Sequence, residues 1–223
     1  RRQASSLLFY DPSGALSAEI GLGRWEDSDP ARVNARSITG GASLDGRFAW
    51  TLESRASWNT LKTKTIASQR TLRFYGAGGR EIWSEEGADA LPDGDPLVFS
   101  ADGETCLVAL RSAEGWTVSV RTYLGNALWE PGPFPRLEAM SITPNGRYAT
   151  LRWNEPEKRA MHTFLDITAK TKKELPSTQF FLGQTRMDDA GLVYSGKKLV
   201  FAFPAGKGPE TVDISTSTEV PKP

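Results

Sequence analysis

Apolar and polar residues alternate with a period of two through much of the chain, in short runs separated by Gly, Pro, Asp and Asn. In one such run Phe48, Trp50 and Leu52 fall on one side and Arg47, Ala49 and Thr51 on the other. Successive side chains of a strand point to opposite faces, so this pattern predicts pleated strands. Cys106, Val108 and Leu110 repeat it, and Tyr148 and Thr150 follow it less cleanly. Small residues at Ala49, Ala109 and Ala149 predict that one sheet face lies close to a neighbour. No segment carries a convincing 3.6-residue period. The polar, Thr-rich stretch from Asp166 to Glu174 reads as a hairpin turn.

One turn recurs ahead of these strands. It reads Ser43-Leu44-Asp45-Gly46-Arg47-Phe48, then Ser100-Ala101-Asp102-Gly103-Glu104-Thr105, then Thr143-Pro144-Asn145-Gly146-Arg147-Tyr148. A weaker copy is Asp188-Asp189-Ala190-Gly191-Leu192. The glycines are 57, 43 and 45 residues apart. Asp-Gly and Asn-Gly tolerate positive φ, so a type I′ hairpin turn is expected at each.

A second element lies between the turns: a short strand, a polar or glycine turn, and another strand. Its copies start at Leu7, Leu72, Val120 and Thr163, with a divergent fifth at Leu199 whose outer strand is expected at Thr211–Ile214. The two elements together make a four-stranded unit. Each unit has two apolar faces and must stack on its neighbours. The chain therefore reads as all-β, one domain over 1–223, with repeats at about 38–85, 95–130, 137–176 and 179–215. The hairpin at 7–22 is left over: it completes the last unit or forms half of a fifth.

The Ser-x-Asp-Gly-Arg turn followed by an alternating strand resembles the WD40-like repeats of TolB-type β-propellers, whose usual form is Ser-Pro-Asp-Gly-Lys. The likeness runs from about residue 38 to 215. Here only Pro144 supplies the proline, Ala190-Gly191 replaces Asp-Gly in the last copy, and no copy has a Trp-Asp dipeptide. The resemblance implies a small propeller of four to five four-stranded blades, incomplete or closed by the N-terminal hairpin. It also implies an extracytoplasmic, periplasmic bacterial protein.

Composition narrows the chemistry more than it names it. Among 223 residues, 27 basic and 27 acidic side chains balance, so charge gives no case for nucleic acid as a partner. No apolar run approaches the roughly 20 residues of a membrane span. The start at Arg1-Arg2 without Met is expected of a trimmed or processed chain. Cys106 is the one cysteine, so no disulfide forms within the chain, and its apolar flanks predict a buried thiol. His162 is the one histidine, which excludes multi-histidine metal sites, and it is expected at an exposed strand edge. No cofactor is indicated.

Candidate binding residues lie where the first repeat exceeds the others, around Ser54 to Arg70. Arg55, Lys62, Lys64 and Arg70 occur there with no acidic residue, alongside Trp58. A basic loop carrying an aromatic suits phosphate or an acidic protein face. Trp25 also falls outside the repeats and is the other candidate for an exposed aromatic. Trp50, Trp116 and Trp153 are expected in the core, and Trp83 and Trp129 between repeats. Turn chemistry explains Asp45 and Asp102. Asp93 and Asp95 lack the longer ligand pattern of a calcium loop. The reading is a non-catalytic binding or scaffold module for another protein or a peptide, with a glycan as a further option. Its rivals are a propeller-type glycan hydrolase with channel carboxylates and a positioning domain cut from a longer protein.

Overall fold

The computed structural model describes residues 5–29, 31–43, 45–155, 160–179 and 185–203. Among them the regular elements are strands, apart from two three-residue 3-10 turns. The expected strand Thr211–Ile214 and the C-terminal tail lie outside the described residues.

The first sheet holds β1 (Ser5–Tyr10), β2 (Leu16–Ser28), β3 (Arg32–Ala42), β4 (Ala49–Asn59), β5 (Thr65–Tyr75) and β6 (Glu81–Glu86) in chain order. The second runs β7 (Leu97–Phe99), β8 (Thr105–Ser112), β9 (Gly115–Thr122), β10 (Ala127–Trp129), and the third β11 (Arg136–Ile142), β12 (Tyr148–Asn154), β13 (Ala160–Asp166), β14 (Thr171–Pro176). The fourth has β15 (Thr185–Met187), β16 (Leu192–Ser195) and β17 (Lys198–Ala202). All pairings between these strands are antiparallel.

The alternation of the sequence divides the second and third sheets each between two interfaces. In β8, Cys106 and Val108 join Trp50, Leu52, Leu72 and Phe74 of the first sheet. Leu107 and Ala109 face the other way and join Leu137, Ala149, Leu151 and Trp153 of the third. In β12, Ala149 and Leu151 look back to the second sheet, while Tyr148 packs with Val193, Val200, Phe201 and Phe203 of the fourth. Each fully buried large side chain contributes about 1.5–3 kcal/mol by leaving water. The result is an all-β succession of sheets packed face to face in chain order. Trp50, Trp116 and Trp153 are buried within it.

The N-terminal hairpin covers the inner part of the first sheet's other face. Leu7, Phe9, Ala18 and Ile20 pack on Ala49 and Tyr75. β2 pairs with β1 up to Leu22 and with β3 from Gly23 onward, and Gly23 stands at φ 145° at the changeover.

The recurring turns are not of the expected type I′, which needs positive φ at both central residues. Gly46, Gly103, Gly146 and Gly191 take φ of 71°, 71°, 70° and 78°, but Asp102 and Asn145 do not share the left-handed region. Each glycine N–H donates to the carbonyl three residues earlier. Each is a hydrogen-bonded turn closed by a left-handed glycine. The reason lies in the first residue of the turn. Ser100 Oγ donates to Asp102 Oδ1 at 2.5 Å and accepts from the Thr105 N–H at 3.1 Å, and Thr143 binds Asn145 and Tyr148 in the same way. That network ties the Asp or Asn side chain back toward the turn's start.

The turns also stack on one another. Arg47 donates to the Asp102 carbonyl. The Ala101 N–H donates to Pro144 at 2.8 Å, and Asn145 donates from its N–H and Nδ2 to Asp189 at 3.0 and 2.9 Å.

Candidate functional site

The first sheet alone outgrows the stack. β3, β4 and β5 each have 11 residues, against eight at most in the described strands of the other sheets. Their outer halves, with the second half of β2, form a four-stranded extension with little cover. All of β2 from Gly23 to Asp27 and β5 from Thr65 to Gln69 is exposed. The extra residues around Ser54 to Arg70 are thus paired strands and their connecting turn.

Register then decides which side chains meet. Trp25, Arg36, Arg55 and Gln69 stand directly opposite one another across the four strands. Glu53 and Arg73 occupy the next two positions on the same face, toward the stack. Glu53 is 4% exposed and holds three guanidinium groups: Arg36 Nε at 2.6 Å, Arg55 Nε at 2.7 Å and Arg73 Nη1 at 2.7 Å. Burial alone would raise its pKa, but the hydrogen bonds from Arg55, Arg73 and Arg36 outweigh that and hold it at about 2. One carboxylate therefore offsets three cations.

Arg36 and Arg55 face an open groove of about 380 Å³, with Trp25, Asn34, Ser57 and Gln69 among its walls. The Arg36 guanidinium lies 5.6 Å from the centre of the Trp25 ring, and Trp25 is 44% exposed. Cation and aromatic together make a surface suited to a polar partner with some apolar bulk.

The remaining candidates are distributed elsewhere. Arg70 projects from the opposite face to Asp89 at 2.5 Å; Asp89 also takes Arg111 at 3.1 Å, so the three join the first and second sheets. Trp58 lies opposite Val33 on that second face and is half-buried. Lys62 and Lys64 sit at the tip, where Lys62 has φ 54° and reaches Glu26 at 3.4 Å. Thus the structure brings Trp25 and Arg55 together and separates Trp58 and Arg70 from them. Arg36 and Glu53 escape sequence reading, since no local signal marks their pairing with Arg55.

His162 is buried, contrary to the expected exposed edge, because β13 lies between β12 and β14. Its Nδ1 is 2.9 Å from Ser177 Oγ and its ring stacks on Phe164. Burial, with the Arg152 charge, pushes its pKa down to about 4. The buried carboxylates Glu53, Asp89, Glu138 and Asp166 are all held by arginines. Ser43 and then Arg47 keep the Asp45 carboxyl at about 2. Asp93 contacts Arg152. Among the described residues no group of three His, Cys, Asp or Glu is placed to hold a metal, and no helix is long and apolar enough to cross a membrane.

No protein-family model matches the chain, and no curated protein sequence matches it. Solved structures give distant likenesses. The β-propeller domain of the Trilobed protease from Pyrococcus furiosus is 9% identical, with a TM-score of 0.41 over 57% of this chain and 39% of that one. A chain of the mitotic checkpoint complex is 10% identical, with a TM-score of 0.41 over 85% and 67%. Acylaminoacyl peptidase from Pyrococcus horikoshii is 11% identical, with a TM-score of 0.40 over 68% and 30%. The chain thus spans well under half of the two archaeal proteins.

Proposed function

We propose that the chain is a non-catalytic binding module, a small β-propeller whose four sheets are blades and whose N-terminal hairpin is half of another. Its partner is a protein or peptide, engaged by the extension of the first blade. One observation carries this reading: β2 to β5 project beyond the stack and leave Trp25, Arg36 and Arg55 on an uncovered face. Strands that leave the core expose backbone and apolar surface without adding to the packed interior, which fits a recognition role. Glu53, the carboxylate nearest the groove, is held at about 2 by its arginines, which favours binding over hydrolysis there, because glycoside chemistry needs one carboxyl group kept protonated.

Selection of random peptides against the whole chain tests this. The expected result is enrichment of binders that lose affinity for a Trp25→Ala variant and keep it for Lys173→Gln on the third sheet. Failure to enrich any binder, or binders indifferent to Trp25, contradicts the proposal.

A further inference from the structure

We infer that the groove on the extension takes an acidic peptide segment, with an Asp or Glu carboxylate seated between Arg36 and Arg55 and an adjoining apolar side chain laid on Trp25. This rests on the binding reading above and adds the chemistry of the partner.

Arg36 and Arg55 each give Nε to Glu53. A guanidinium is a planar fork of five donors, so the terminal Nη groups of both remain available on the groove side. Their side chains are 49% and 59% exposed. Arg73 reaches the same Glu53 from below, 2.7 Å from its second oxygen, and also approaches Glu81 at 3.6 Å. With Glu81 counted beside Arg73, the arginines exceed the carboxylates they contact by one positive charge, and a buried anion holds Arg36 and Arg55 in place at this end of the groove. Such a pre-positioned pair favours a carboxylate, which accepts from two forks at once.

Other acidic groups define the segment's length. Glu26 is engaged by Arg24 at 2.7 Å and by Lys62 at 3.4 Å. Asp27 stands one repeat of the pleat further out on the Trp25 face, roughly 7 Å along the strand. It repels a second carboxylate there, so one acid flanked by uncharged residues fits better than a run of acids.

The test uses fluorescein-labelled, end-blocked decapeptides of Ser, Leu and one central Glu, and the same sequence with Gln or Lys at the centre. The Glu peptide is expected to bind at least tenfold tighter than the Gln peptide, with Lys weaker still and affinity falling as salt rises. Arg36→Gln and Arg55→Gln each reduce Glu-peptide binding about tenfold, and Asp27→Asn raises it. Asp27 is exposed, so that variant folds whatever the arginine variants do. Equal binding of the three peptides, no binding, or an Asp27→Asn variant with unchanged affinity overturns the inference. Peptide selection that maps to Trp25 with no acidic preference overturns it too, while leaving the binding role intact.

Discussion

The ring of Phe48 lies over Gly103 so closely that a Cβ on the glycine would stand 2.4 Å from Cδ2 and Cε2. The relationship repeats. Thr105 crowds Gly146 at 3.0 Å and Tyr148 crowds Gly191 at 2.7 Å. In each case the residue two after one turn glycine covers the glycine of the next sheet. The glycines thus serve twice, for left-handed backbone and for the spacing between sheets.

Gly46 has the same φ but open space around its would-be Cβ. Gly46→Ala is expected to cost about 1 kcal/mol for the backbone alone. Gly103→Ala adds overpacking and is expected to cost about 2–4 kcal/mol in total. Urea denaturation of both variants checks the order. Equal losses would mean that the Phe48 contact is readily relieved.

His162 makes folding sensitive to mild acid. Unfolded imidazole takes a proton near pH 6.5, whereas the buried ring does so only at about 4. Its contribution is therefore whole above pH 6.5 and is lost as pH falls toward 4, by roughly 3 kcal/mol if the full shift is expressed. His162→Gln is expected to flatten the stability profile in that window, below which the carboxylates take over. Parallel profiles for the two proteins would contradict this.

Cys106 is fully buried between the first two sheets, and its thiol is pushed up to about 12, burial outweighing the nearby Arg121 charge. Ellman's reagent at pH 8 is expected to leave the native protein unmodified and to titrate one thiol in denaturant. Prompt native reaction would mean that the first interface opens freely.

Glu53→Gln removes the anion that three arginines share. The expected loss is about 1–2 kcal/mol, less than for a fully buried pair because the arginines left behind are partly solvated, together with a weaker grip on Arg36 and Arg55. Removing Arg55 in the same chain is expected to restore part of the loss, since it relieves cation crowding. An additive double variant would show that the two do not interact.

The stacked sheets were legible because their signals are local. Asp-Gly and Asn-Gly mark turns by their own conformational preferences, and the alternation through Cys106–Leu110 tells its two faces apart without knowledge of any neighbour. The turn type escapes local reading because the Ser or Thr that opens each of the first three turns redirects the Asp or Asn side chain. His162 was misplaced because exposure of a strand depends on whether a further strand, here β14, pairs beside it. The groove was half legible. The excess length and the residues Trp25 and Arg55 stood out, but the meeting of Arg36 and Arg55 on Glu53 is a matter of register between strands, with Arg36 and Glu53 lying 17 positions apart. One-residue slips would send those side chains to opposite faces.

Hydrogen exchange of the whole chain, free and saturated with a peptide recovered by selection, tests most directly whether the extension is the binding surface. The account predicts slowed exchange in 24–27, 34–37, 54–57 and 66–69, with the turns at 100–103 and 143–146 unchanged. Protection confined to those turns, with the extension exchanging as in the free protein, would contradict it.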